Sequence, residues 1–173
     1  MTLMRFANNW CGVRPVRAEL PDVSTPANAP ADARSVLLLD ESHDPLWRVA
    51  AYRYAIQVLD HASDDTAILL NDGNARSLAD QLYRSAGSVA ANIAEGYSRS
   101  SGSDRVRLLE YALGSARECR VWYRAARRLL PADSVSSQHA TLTSICKLLL
   151  TMIPEERKRL IRKARASNLP ELT

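Results

Sequence analysis

The sequence has few aromatic residues and no segment suited to crossing a membrane. It contains one Phe, three Trp and six Tyr among 173 residues, and it lacks the run of about 18 apolar residues that would span a bilayer. Arg5 is followed by no continuous apolar stretch, which argues against a secretory signal. Cys11, Cys119 and Cys146 are widely spaced and odd in number, a usage typical of free thiols in the cytoplasm.

The chain also lacks the patterns on which most enzymes and metal proteins depend. Metal sites in ferritin-like bundles use Glu-x-x-His pairs on facing helices, whereas His43, His61 and His139 have no ligand spacing. Gly102 lies in a serine-rich loop without the lysine of a phosphate-binding loop. Cys119 falls on an apolar helix face, where cysteine behaves as a small hydrophobe. We therefore expect no metal, no cofactor and no catalytic residue, and we interpret the chain as a protein that is not an enzyme.

Prolines and charge divide the chain into a short first part and a longer second part. Four prolines fall between residues 15 and 30, and they interrupt any long element there. We predict a poorly ordered extension over residues 1–44, a helical domain over 45–166 and a tail over 167–173. Residues 1–44 carry a net charge of −2, which leaves +6 on the remainder. A basic domain suits nucleic acid or an acidic partner, although a solvated surface gives the same balance.

Apolar residues recur at three- and four-residue steps in four segments of the second part. The fold class predicted from them is all-α, an antiparallel up-down four-helix bundle. The predicted helices are 45–62, 75–97, 103–130 and about 133–166.

Local signals set the expected ends of these helices. Asp44 before Pro45 indicates a helix start, and the polar stretch 60–65 indicates its end. Ser101 with Asp104 resembles a capping box at the start of the third helix. Pro154 predicts a kink or a restart in the fourth helix, because proline removes one helical hydrogen bond.

Small residues dominate the segment 84–99, which we place at the centre of the bundle. Asn92 and Glu95 are the only strongly polar residues inside it. We favour a structural role for both, because isolated polar groups in bundles fix helix register. The third helix has a heptad spacing that predicts a buried seam. The predicted seam consists of Leu108, Ala112, Ser115, Cys119, Trp122, Ala126 and Leu129. The residues expected to widen this seam are Leu109, Leu113, Ala116, Tyr123 and Leu130.

Basic residues form two clusters that we consider as nucleic-acid contacts. The first, here called the arginine stripe, covers an arc of about 100° on the third helix. The second, here called the C-terminal basic run, places six positive charges in nine residues. Such clusters neutralise phosphates, but they also occur as solubilising faces paired with acids such as Glu110, Glu155 and Glu156. The stripe is Arg117, Arg120, Arg124, Arg127 and Arg128, and the run is Arg157, Lys158, Arg159, Arg162, Lys163 and Arg165.

The segment Asn-Ile-Ala-Glu-Gly at 92–96, together with Gly-Ser at 114–115 and Glu118, resembles a known family. The family consists of four-helix bundle proteins related to those encoded by intervening sequences of bacterial 23S rRNA genes. The resemblance implies a homopentameric ring and an association with ribosomal RNA. A more distant resemblance is to the accessory protein of diversity-generating retroelements, which implies nucleic acid and a reverse transcriptase as partners. The signature residues, to which we assign a structural role, are Asn92, Glu95, Gly96, Gly114, Ser115 and Glu118.

Two functions remain open at this point. The first is a homo-oligomeric bundle that binds RNA or other nucleic acid through the arginine stripe and the C-terminal basic run. The second is an oligomeric adaptor that binds another protein and no nucleic acid. Sequence-specific base reading has no support, because nothing marks a recognition helix and no aromatic residue is interleaved within the C-terminal basic run.

Overall fold

Four α-helices make up most of the part of the chain that the structure describes. This computed structural model describes residues 43–167, so the predicted N-terminal extension and C-terminal tail lie almost wholly outside the described residues. None of the helices in the described range is long and apolar enough to cross a membrane. The helices are α1 (Ala50–Leu69), α2 (Arg76–Ser98), α3 (Gly102–Ala126) and α4 (Ala132–Ser167).

The helices pack in the order in which they follow along the chain, and α4 also packs against α1. Ser88 in the middle of α2 bonds to Ser115 in the middle of α3. Gly96, near the C-terminal end of α2, lies against Leu108, near the N-terminal end of α3. This register makes α2 and α3 antiparallel. The predicted all-α antiparallel four-helix bundle is confirmed.

The first helix begins later than predicted. The Asp44 carboxylate accepts the backbone N–H of Leu46 at 2.8 Å, as a capping residue does, but it caps only the short 3-10 helix Pro45–Arg48. Val49 then has an extended backbone, and α1 starts at Ala50. The boundary between the two units of the chain also falls here, after Arg48.

The prediction that α1 ends within the polar stretch 60–65 is wrong. Ala62, Asp65 and Leu69 are buried at three- and four-residue steps, so the inward face of the helix continues past the polar residues. The chain turns only at 71–74, where the Asp72 carboxylate accepts the N–H of Asn74 at 2.9 Å. The spacing of the buried residues, rather than the polarity of the stretch 60–65, therefore decides where this helix ends.

The start of α3 is confirmed, whereas its end comes earlier than predicted. Ser101 is the N-cap, and its hydroxyl accepts the N–H of Asp104 at 3.4 Å. The helix stops at Ala126, and the N–H groups of Leu129 and Leu130 both bond to the Ala126 carbonyl, at 2.8 and 3.1 Å. These bonds form the turn that leads into α4.

The residues expected to widen the seam of α3 are all buried, whereas the seam itself is buried only in part. Ser115 and Trp122 are only partly buried, and Leu129 is 41% exposed. The buried face differs from the predicted seam because α3 packs against both α2 and α4. The side chains that point inward are therefore those that lie between these two neighbouring helices. The positions that are fully buried are Leu109, Ala112, Ala116, Cys119, Tyr123 and Ala126.

Pro154 lies inside α4 and does not end it. Its ring is exposed, whereas Ile153 and Glu156 on either side of it are buried. Because packing holds the residues around it, the loss of one helical hydrogen bond does not interrupt the helix. Of the two alternatives predicted, a restart is excluded by the continuous helix.

Candidate nucleic-acid interface

The arginine stripe lies along the edge of α3 that faces α4. Arg120 donates to Nε2 of His139 at 3.3 Å, a contact between the two helices. Arg127 follows the end of α3 and donates to the Arg124 carbonyl at 3.0 Å. Of the five side chains only Arg120 is partly buried, and the others are exposed.

Acidic residues are scarce around this edge. Arg117, Arg124 and Arg128 have no ion pair within residues 43–167. Asp133 is the single acid in the first sixteen residues of α4, which are those opposite the stripe. The nearest acid on α3 is Glu118, which accepts the indole N–H of Trp122 at 3.2 Å. The stripe is therefore a row of positive charge that carboxylates leave uncompensated.

The C-terminal basic run is divided into a paired and an unpaired half. Arg157 pairs with Glu110, Lys158 with Glu155 at 2.8 Å, and Arg159 with Glu156 at 3.2 Å. The hydrogen bond and charge of Lys158, with Arg162 and Arg159 beyond, lower the pKa of Glu155 and keep it anionic. The predicted acid pairing is thus present at all three of these residues. The residues with no ion pair in the described part of the chain are Arg162, Lys163 and Arg165.

The two basic clusters lie towards opposite ends of the bundle. Leu160 contacts Gly102 at the start of α3, whereas Arg117 comes fifteen residues later, about 22 Å along the helix. The residues after Leu160 are exposed on all sides through 166, as expected for a helix that continues beyond its neighbour. The clusters therefore form two separate surfaces.

The signature residues fall into two groups. Asn92 donates to the Ser88 carbonyl at 2.7 Å and to its hydroxyl at 3.0 Å, and the Ser88 and Ser115 hydroxyls bond at 2.9 Å. Gly96 brings α2 close to α3, since a Cβ there would lie 3.3 Å from that of Leu108. These contacts agree with the structural role expected of Asn92, Gly96 and Ser115.

The second group, Glu95, Gly114 and Glu118, is exposed. Glu95 pairs with Arg99 one turn away, and Glu118 bonds to Trp122 rather than to another helix. A Cβ at Gly114 would have no atom within 4 Å. Internal packing therefore gives no reason for a glycine in the middle of α3.

Replacing Gly114 with alanine is expected to raise the free energy of unfolding by about 0.5–1 kcal/mol, because alanine loses less backbone entropy in a helix. Urea denaturation followed by circular dichroism measures the change. Gly96→Ala is the matched control, since its new methyl group would press on Leu108 and the gain there should be smaller. A loss of stability in Gly114→Ala would show that this position is crowded.

Sequence reasoning missed a buried ion pair between Arg105 and Glu156. The Arg105 guanidinium donates to Glu156 Oε1 through Nε at 2.7 Å and lies 2.6 Å from it through Nη2. It also donates to the carbonyls of Arg99 and Ser100, at 2.8 and 3.1 Å. One side chain thus joins α3, α4 and the loop before α3. The available signal was Glu156 itself, a charged residue three positions after the apolar Ile153.

A second buried polar group lies at the opposite end of the bundle. Asp65 is 4% exposed and accepts from the Ser134 hydroxyl at 2.8 and 2.9 Å. The Tyr123 hydroxyl and Gln138 Oε1 are buried without a hydrogen-bond partner in the described part of the chain. Burial, with the charge of Asp65 nearby, raises the pKa of Tyr123, so that this phenol stays neutral.

The cysteines within the described range suit packing rather than catalysis. Cys119 and Cys146 are both buried and free, and burial raises the pKa of the Cys119 thiol to about 12. A thiol with such a pKa holds almost no thiolate at neutral pH. Among residues 43–167, no group of three or more His, Cys, Asp or Glu is placed to hold a metal ion.

Comparisons with known proteins agree with this architecture. The family model for the 23S rRNA-intervening sequence protein matches residues 51–153. A crystal structure of a protein of unknown function from the S23 ribosomal protein family of Bacteroides thetaiotaomicron VPI-5482 has a similar fold, with a TM-score of 0.57 and 24% identity. The similarity covers 60% of this chain and 98% of that one. No curated protein matches. Since the family model spans more than half of the sequence and nearly all of α1 to α3, the chain belongs to the 23S rRNA-intervening sequence protein family.

Proposed function

We propose that the chain is a non-enzymatic, homo-oligomeric helical bundle that binds RNA or other nucleic acid through basic helix surfaces. The observation that carries the proposal is the arginine stripe, whose guanidinium groups have no carboxylate partner within residues 43–167. An unpaired exposed arginine can bind a phosphate without first breaking an ion pair, and it releases counterions when it does so. The unpaired half of the C-terminal basic run supplies a second contact.

Self-association is the other part of the proposal, and the family resemblance suggests a pentamer. Tyr111 is 55% exposed and Val121 is 59% exposed on α3, on either side of Gly114. A contiguous patch of exposed apolar side chains marks a protein contact, and we assign these two residues to such a contact between copies. A ring would repeat the arginine stripe once per copy, and linked copies bind a long polyanion more tightly than a single copy does.

The test is to measure RNA binding at several salt concentrations, with the fluorescence anisotropy of a labelled RNA as the readout. Each phosphate contact contributes about −0.7 to −0.9 to the slope of log K against log salt concentration. Four or five stripe contacts therefore predict a slope of about −3 to −4.5. Binding that is indifferent to salt would exclude phosphate contacts and contradict the proposal.

The alternative is an oligomeric adaptor that binds no nucleic acid, and the exposed Tyr111 and Val121 favour it. Two measurements on the purified full chain distinguish the nucleic-acid-binding bundle from the adaptor. Light scattering gives the oligomeric state, and the ratio of absorbance at 260 and 280 nm shows whether nucleic acid co-purifies. An oligomer that neither carries nor binds nucleic acid supports the adaptor. A monomer contradicts both.

A further inference from the structure

We propose that the arginine stripe recognises double-stranded nucleic acid, and that it does so through the phosphate backbone without stacking on bases. The inference rests on the proposed function and names the class of ligand for one of its two surfaces. The inference concerns the arginine stripe alone and not the C-terminal basic run, because half of the residues in that run already form ion pairs with carboxylates.

The charge around the stripe suits phosphates. Arg117, Arg124 and Arg128 are exposed and have no ion pair in the described range. Arg120 contacts the His139 imidazole rather than a carboxylate. The stripe therefore keeps its positive charge available over the whole edge of α3.

Aromatic side chains are missing from this edge. Tyr123 is fully buried, and Trp122 donates its indole N–H to Glu118 one turn earlier, on the side of α3 away from the stripe. Residues 132–167, which form α4, contain no Phe, Tyr or Trp. His139 is a small ring already engaged with Arg120. Proteins that bind single strands rely on aromatic platforms for stacking, so this edge is poorly suited to a single strand.

The length and rigidity of the stripe favour a duplex. Arg117 and Arg124 lie seven residues apart on α3, or about 10 Å of helix rise, and Arg128 extends the row into the turn that follows the helix. A duplex presents one phosphate per about 1.7 Å of axis, twice the density of one strand. The adjacent face of α3 is fixed in the core by Ala116 and Cys119, both fully buried, so little backbone ordering opposes binding.

The experiment compares three ligands of equal length on the full chain: a 20-base-pair RNA duplex, the DNA duplex of the same sequence, and one of the RNA strands alone. Fluorescence anisotropy at several salt concentrations gives the dissociation constants and salt slopes. We expect both duplexes to bind at least tenfold more tightly than the single strand, and to within about threefold of one another, because they share the phosphates.

Two triple variants with equal loss of charge test the site. The first replaces Arg117, Arg124 and Arg128 with Gln. The control replaces two arginines that already pair with Glu95 and Asp104, and an exposed arginine of α2 that lies outside both basic clusters. We expect the first variant to reduce duplex binding about 100-fold at 0.1 M salt and to make the slope shallower by about 2.7, while the control changes binding less than fivefold. The control substitutions are Arg99→Gln, Arg107→Gln and Arg84→Gln.

The outcomes separate this inference from the proposed function. Tighter binding of the single strand, or equal losses in the two triple variants, overturns the duplex inference while nucleic-acid binding stands. A strong preference for one duplex type overturns the assignment to phosphates alone. No salt-sensitive binding of any ligand overturns the proposed function, and the inference with it. Circular dichroism of both variants confirms that a loss of binding is not a loss of fold.

Discussion

Replacing Glu156 with alanine is expected to lower the free energy of unfolding by about 3–5 kcal/mol, the range for removing one partner of a buried ion pair. Glu156 is 4% exposed and accepts from both Arg105 and Arg159. Without it, the Arg105 guanidinium keeps its two carbonyl contacts but remains partly buried without a counter-charge. The loss is therefore the cost of an unpaired cation, in addition to the lost hydrogen bonds.

Urea denaturation of Glu156→Ala and of Glu155→Ala measures this effect against a matched control. Glu155 is the neighbouring residue, but it is exposed and pairs with Lys158 on the surface, where solvent and salt screen an ion pair and leave it little effect on stability. If the two variants lose equal stability, the ion pair of Arg105 with Glu156 stabilises the fold no more than an exposed ion pair does.

A second variant shows whether the ion pair or the space it fills is important. The double replacement Arg105→Met with Glu156→Leu removes both charges and keeps apolar volume between the helices. We expect it to recover most of the stability lost in Glu156→Ala, because hydrophobic replacements of buried pairs are often neutral or stabilising. Failure to recover would show that the bonds from Arg105 to the Arg99 and Ser100 carbonyls contribute most of the stability.

The number and order of the helices could be predicted because they depend on spacing within the sequence. The prediction failed where a local cue conflicted with spacing. The polar residues around Asp65 suggested a helix end, yet Asp65 faces inward and bonds to Ser134, 69 residues away. Nothing local indicates that a partner from α4 will satisfy a buried carboxylate, so the length of α1 was underestimated.

In the candidate site, too, features that depend on sequence spacing could be predicted, and features that depend on contacts between distant residues could not. Helical geometry alone places the arginine stripe on one edge of α3, and the acids that pair with the C-terminal basic run were recognisable by type. The position of the stripe relative to the run depends on the antiparallel register of α3 and α4, which is set by contacts such as that of Gly102 with Leu160. The pairing of Arg105 with Glu156, 51 residues apart, depends on that register too.

Replacing Tyr123 with phenylalanine is expected to raise the free energy of unfolding by about 1–2 kcal/mol, in contrast to the loss that most core substitutions cause. The Tyr123 ring is fully buried, and its hydroxyl has no partner among residues 43–167. A buried polar group without a hydrogen bond retains its desolvation cost of about 1–3 kcal/mol. Phenylalanine keeps the buried ring in the core and removes that cost.

Thermal denaturation provides the measurement, since about 1 kcal/mol corresponds to a shift of about 2–4 °C for a chain of this size. Tyr83→Phe is the control, because Tyr83 is 48% exposed and its hydroxyl remains in water in both states, so its change should stay within about 0.5 kcal/mol. A clear loss of stability in Tyr123→Phe would mean that the hydroxyl donates to the Asp65 carboxylate in solution. In that case Asp65, Tyr123 and Ser134 would form one hydrogen-bonded group joining α1, α3 and α4. The sign of a single change in melting temperature therefore decides whether this end of the core contains an unsatisfied hydroxyl or a polar network.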